Sequence, residues 1–180
     1  MKLFFICILS LTVISTSFSQ TIMKTDSIYN VNQLSFMSGS WVGKGWIVGR
    51  DQVVKNFSQH ENVTSKISGN VLLIEGIGHA IDSTGVTEKV IHQAFGLITF
   101  NPNIKCVTML SISPIGGRME TILKQKGDKI IQWSFDGPRK GSIIRFTEDF
   151  SKENIWNEVG EISMDGENWN KFFEMNLEKE

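Results

Sequence analysis

From Gly39 onward, apolar and polar residues alternate with a period near two, and Gly, Asn, Asp and Pro recur at hairpin spacing. This is the pattern of successive antiparallel strands joined by tight turns, not of strand–helix–strand units. Ten strands are expected, at residues 40–48, 53–65, 71–81, 88–99, 105–113, 117–126, 129–135, 142–148, 155–163 and 169–177. The segments between them carry turn chemistry, as in Ser68-Gly69-Asn70, Asn101-Pro102-Asn103, Asp136-Gly137-Pro138 and Asp165-Gly166-Glu167-Asn168. An up-and-down sheet of this length has two unpaired edges, and closure removes them. The expected fold is therefore all-β, an up-and-down antiparallel barrel of about ten strands. A sandwich fits the same spacing, but no Cys–Trp–Cys framework or long crossover points to an immunoglobulin-like topology.

Ahead of the strands the period lengthens. Asp26 is placed to cap a short helix bearing Ile28, Val31, Leu34 and Phe36, ended by Ser38-Gly39, which would lid one end of the barrel. Earlier still, Lys2, an apolar run over residues 3–14 and the small residues Ser17-Phe18-Ser19 read as an export signal. Residues 1–19 are thus expected to be removed and 20–180 to form one domain, in the periplasm or secreted. The run is shorter than the ~20 residues that cross a bilayer, so no membrane span is expected. Cys7 lies inside it, not after it, which argues against a lipid anchor.

Losing Lys2 with the leader takes the net charge from −1 to −2, leaving no basic field for nucleic acid. Cys106 is then the one cysteine beyond the leader, so no internal disulfide forms and stability rests on the core.

Gly39-Ser40-Trp41-Val42-Gly43-Lys44-Gly45 fits the Gly-x-Trp-x-Gly-x-Gly pattern, and the chain resembles nitrobindin-like barrels within the broader lipocalin-like group. Its closing hairpin, residues 162–175, is similar to that of an uncharacterised family of secreted bacterial lipocalin-like proteins. The resemblance implies a first-strand Trp at the barrel end with a basic residue against it, for which Lys171 is the candidate. Nitrobindin-like proteins also hold haem through a histidine near the C-terminal strands. No histidine stands there in this chain, so no cofactor is expected by that route, and a haem-binding barrel is kept only as an alternative.

Several residues carry candidate chemistry. Trp46, Phe95, Trp133, Phe146 and Trp156 are the expected wall of a ligand cavity. Glu158 and Glu174 interrupt apolar closing strands, and Arg145 would pair with either or anchor an acidic headgroup; a buried carboxylate is costly unless partnered. The competing arrangement points all three to solvent. Alternation puts Glu75 and His79 on one face of their strand and His92 on a face of the next, a possible polar cluster if the histidines meet across the hairpin. Metal sites need three or four ligands at tight spacing, and none is evident. Nucleophile-elbow and phosphate-loop motifs are absent. These features favour a binding module for a small apolar or amphipathic molecule; the rival is an enzyme using His/Glu acid–base chemistry in the same cavity.

Overall fold

The computed structural model describes residues 26–49, 51–114 and 116–180; the leader reading lies outside the described residues. Eleven strands form one antiparallel sheet: β1 (Gly39–Val48), β2 (Val54–Lys66), β3 (Val71–Asp82), β4 (Gly85–Asn101), β5 (Cys106–Ile112), β6 (Arg118–Ile122), β7 (Lys124–Gly127), β8 (Ile130–Asp136), β9 (Ile143–Asp149), β10 (Ile155–Ser163) and β11 (Trp169–Lys179). Their spatial order is β6-β5-β4-β3-β2-β1-β11-β10-β9-β8-β7, so every neighbour is a sequence neighbour except β1 and β11, which pair from Trp41↔Lys179 to Ile47↔Phe173.

The sheet curls until its two ends almost meet, and those ends are one stretch of chain. The sequence reads residues 117–126 as a single strand, whereas the structure breaks it at Leu123 into β6, paired with β5, and β7, paired with β8. Side by side across the break, the Thr121 hydroxyl donates to the Ser134 carbonyl at 2.9 Å. The gap this partner change leaves beside β5 is filled by the N-terminal segment: Val107 N–H donates to Ile28 O (2.7 Å) and Gln125 N–H to Asp26 O (2.6 Å). The barrel is nearly closed, and few backbone groups are left as a sticky edge.

Asp26 and Ile28 are therefore extended rather than helical, which corrects the expected helix start. The helix is a 3-10 segment, Val31–Met37, capped by Asn30, whose side chain accepts from Asn32 N–H while Gln33 reaches back to the cap backbone. Val31, Leu34 and Met37 are buried against the barrel end, together with Trp41, Phe150 and Trp156. Trp41 is 2% exposed; its indole N–H donates to Met37 O at 2.9 Å, and its ring meets Phe150 and Trp156 edge-on. Lys179 of β11, not Lys171, lies over that ring, 5.1 Å from its centre. Strand β1 can lie this close to β11 because glycines follow Trp41 on its inner face: a Cβ at Gly43 would run into the backbone of Asn176 on β11.

Candidate functional site

Inward positions follow from register. On β1 they are Trp41, Gly43, Gly45 and Ile47; opposite the first three on β2 are Glu61, Gln59 and Phe57, while Lys55, opposite Ile47, is exposed at the strand end. On the far wall, Trp133 faces Phe146, and Glu148 faces both Ile131 and Glu158. One local device enriches the aromatic wall. The β10–β11 register shifts at Gly160/Glu161 and leaves Phe172 as an extra residue, so Phe172 and Phe173 both reach the interior.

Above the plugged end lies a cavity of about 480 Å³, within the range of small-molecule sites. Its side is aromatic: Trp133 and Phe146 stack at 4.5 Å, with Phe135 parallel to both and Phe172 and Phe173 edge-on to Phe146. Three glutamates, Glu61, Glu148 and Glu158, line it together, and its other polar lining includes His92, Ser111 and Arg118. Glu61 is 1% exposed and fits because its strand partner is Gly76, where any Cβ would collide with its carboxyl oxygens.

Two of the carboxyls, Glu61 and Glu148, are only half partnered. Gln59 Nε2 donates to Glu61 Oε1 (2.7 Å) and Trp133 Nε1 to Glu148 Oε1 (2.8 Å), while Oε2 of Glu61, Oε2 of Glu148 and Nε1 of Trp156 have no partner. Removal from water pushes Glu61 and Glu148 up to about 7. Glu158 is raised well above the usual carboxylate range by the same cause and by the negative charge of Glu148 and Glu61. His92 also faces inward, its ring packed against Phe57 (5.7 Å) and Phe173 (5.6 Å); burial lowers its pKa to about 4, so it is neutral at physiological pH.

Of the residues the sequence singled out, Trp133, Phe146, Trp156, Glu158 and His92 line this cavity. Trp46 does not: Trp41 and Gly45 face inward, so alternation puts Trp46 on the outer face, opposite Glu174. Phe95 alternates with inward Ala94 and Gly96, so it borders the cavity's edge while remaining 42% exposed. Arg145 is outside as well. Its Nε donates to Glu161 at 2.7 Å and its guanidinium lies 3.6 Å above the Trp169 ring, so it anchors nothing within the barrel. Glu174 pairs with Lys171 on the same outer face. Glu75 and His79 are outward, and His92 faces Gly78 across the hairpin, so the polar cluster of Glu75, His79 and His92 does not form. Accordingly, Arg145→Ala is expected to destabilise the fold by about 1 kcal/mol through its lost ion pair and stacking, with no change in the affinity of any cavity ligand measured by fluorescence titration.

Glu61 and Glu148 were not anticipated, although the signal was present: Glu61 is in phase with Phe57 and Val63, and Glu148 with Phe146 and Phe150. The haem implied by the nitrobindin-like resemblance does not match the residues present. The C-terminal strands lack the histidine, and the one inward imidazole, His92 on β4, is packed against Phe57 and Phe173. Among the described residues, no group of three or more His, Cys, Asp or Glu side chains is disposed to hold a metal ion.

No protein-family model and no curated protein matches the sequence. Solved structures do. The chain is similar to the crystal structure of Rv2717c from M. tuberculosis, with a TM-score of 0.61 at 12% identity over 85% of this chain and 99% of that one. It is also similar to a protein of unknown function from the DUF3598 family of Nostoc punctiforme, with a TM-score of 0.50 at 12% identity over 82% of this chain and 49% of that one. At such identity the likeness establishes the nearly closed antiparallel barrel and nothing about activity.

Proposed function

We propose that this is an exported, lipocalin-like binding protein that holds a small apolar or amphipathic molecule inside its barrel, in the periplasm or outside the cell. The observation that carries the reading is the cavity itself: about 480 Å³, walled by stacked aromatics, with a few polar groups collected in one place. Such a space is costly to keep empty and well suited to an apolar body. A solid-core structural barrel would have filled it with side chains.

Gly96 offers the test. It lines the cavity, and a Cβ there would meet Ile74 and Met109 at an ordinary 3.6 Å, so Gly96→Leu can occupy the space from inside without distorting the strand. Titration with the uncharged fluorophore N-phenyl-1-naphthylamine should show saturable binding to the native protein and at least about tenfold weaker binding to Gly96→Leu, at an unchanged melting temperature. No binding to the native protein, or equal binding to both, would overturn the reading.

One observation favours a second reading. Glu148 lies directly across from Glu158, a pair of buried carboxyls of the kind acid–base catalysis uses, in place of the His/Glu arrangement the sequence suggested. Bound esters, amides or glycosides recovered intact after prolonged incubation would rule it out; cleavage lost in Glu158→Gln would establish it.

A further inference from the structure

We infer that the ligand of this cavity carries a cationic head, a primary ammonium on an aliphatic or aromatic body, seated on the carboxyls of Glu61, Glu148 and Glu158. This rests on the reading that the cavity binds a small molecule, and it reverses the acidic headgroup that Arg145 would have anchored.

The first support is an unmatched charge. Among the described residues, the Lys and Arg ion pairs are Lys55–Asp51, Arg118–Glu120, Lys126–Asp26, Arg145–Glu161 and Lys171–Glu174, and none involves the three inner glutamates. Three carboxyls sharing a water-poor space either keep their protons or acquire a cation. An acidic head would add a fourth like charge, and a neutral one would leave the cluster uncompensated.

The second support is independent of charge. Trp156 is 2% exposed and lines the same cavity, yet its Nε1 has no acceptor, while Oε2 of Glu61 and of Glu148 have no donor. An ammonium supplies three donors for the free oxygens. A hydroxyl or ether oxygen next to it would accept from Trp156, which makes an amino alcohol the best-matched head. The faces of the Trp133–Phe146 stack add attraction for positive charge near the wall.

The groups facing the head are Glu61, Glu148, Glu158 and His92, with Arg118 at the mouth. Because Glu61 and Glu148 titrate near 7, Glu158 is raised in the same direction and His92 is already neutral there, a cation entering the cluster expels protons, and its affinity rises with pH between about 6 and 8.

The experiment is displacement of N-phenyl-1-naphthylamine from the native protein by decylamine, decanol and decanoate at about pH 6 and about pH 8. Decylamine should compete at least about tenfold more strongly than decanol at the higher pH, decanoate least, with the margin shrinking at the lower pH. In the Glu148→Gln/Glu158→Gln double variant decylamine should fall to the level of decanol. Should that variant not fold, the order and pH trend in the native protein decide alone. Decanol or decanoate competing as well as decylamine overturns the cationic head and leaves the cavity reading standing. Failure of the fluorophore and all three competitors to bind overturns both.

Discussion

Replacing Trp41 with alanine is expected to lower the stability of the folded chain by about 3–5 kcal/mol, the usual loss for a fully buried large aromatic. Trp41 ties four things together at the plugged end: the 3-10 helix through its bond to Met37 O, strand β9's successor residue Phe150 and Trp156 of β10 through ring contacts, and Lys179 of β11 over its face. Its removal opens a hole among rigid neighbours that the glycine-lined β1 cannot fill. For a domain of this size the melting temperature should fall by about 10 °C. Trp41 does not line the cavity, so the variant that remains folded should bind N-phenyl-1-naphthylamine with native affinity. An unchanged melting temperature with lost binding would assign this residue to the site instead of the fold.

The second large effect is a stability profile that declines toward alkaline pH in the ligand-free protein. The inner carboxyls hold protons more tightly when folded than when unfolded: Glu61 and Glu148 move from 4.5 to about 7, and Glu158 shifts the same way. The contribution of Glu61 and Glu148 is fully present below about pH 4.5 and is lost as pH rises through about 7, on the order of 3 kcal/mol for each, and that of Glu158 is lost in the same direction. His92 acts in the opposite sense. Its folded value is depressed to about 4 from 6.5, so its contribution is present above 6.5 and lost as pH falls. The two trends oppose each other between about 4.5 and 6.5, and the decline should be steepest just above that window. Melting temperatures across pH 5 to about 8 measure it. Glu148→Gln and Glu158→Gln should each flatten the alkaline limb and melt higher than the native protein at about pH 8. A profile that rises toward pH 8, or variants that melt lower there, would mean the carboxyls are paired in a way the structure does not contain.

Much of the architecture was legible because period-two alternation and turn chemistry are local signals. The strand 155–163 coincides with β10, eight others fall within a few residues of observed ones, and 117–126 is split into β6 and β7. The break at Leu123 was not legible, since it arises from a change of partner between β5 and β8 that only the closed sheet imposes. Nor was the extended path of Asp26–Ile28, whose backbone groups are taken up by Val107 and Gln125 far along the chain.

The site was partly legible, and its errors share one cause. Size and aromaticity mark candidate wall residues, but phase along each strand decides which of them face inward. If Trp41 is inward then Trp46 is outward; if Phe146 is inward then Arg145 is outward; if His92 and Ala94 share a face then Phe95 is on the other. Applying that phase would also have turned Glu61 and Glu148 inward. Nothing in the pattern alone could show that three glutamates from β2, β9 and β10 converge, because that depends on the curl of the sheet.

The measurement that bears most directly on the central claim is a crystal structure of the protein purified from its expression host without detergent or denaturant. The account predicts continuous density for a small organic molecule between the Trp133–Phe146 wall and the carboxyls of Glu61, Glu148 and Glu158. An interior holding only ordered water, or side chains collapsed to fill it, would contradict the account.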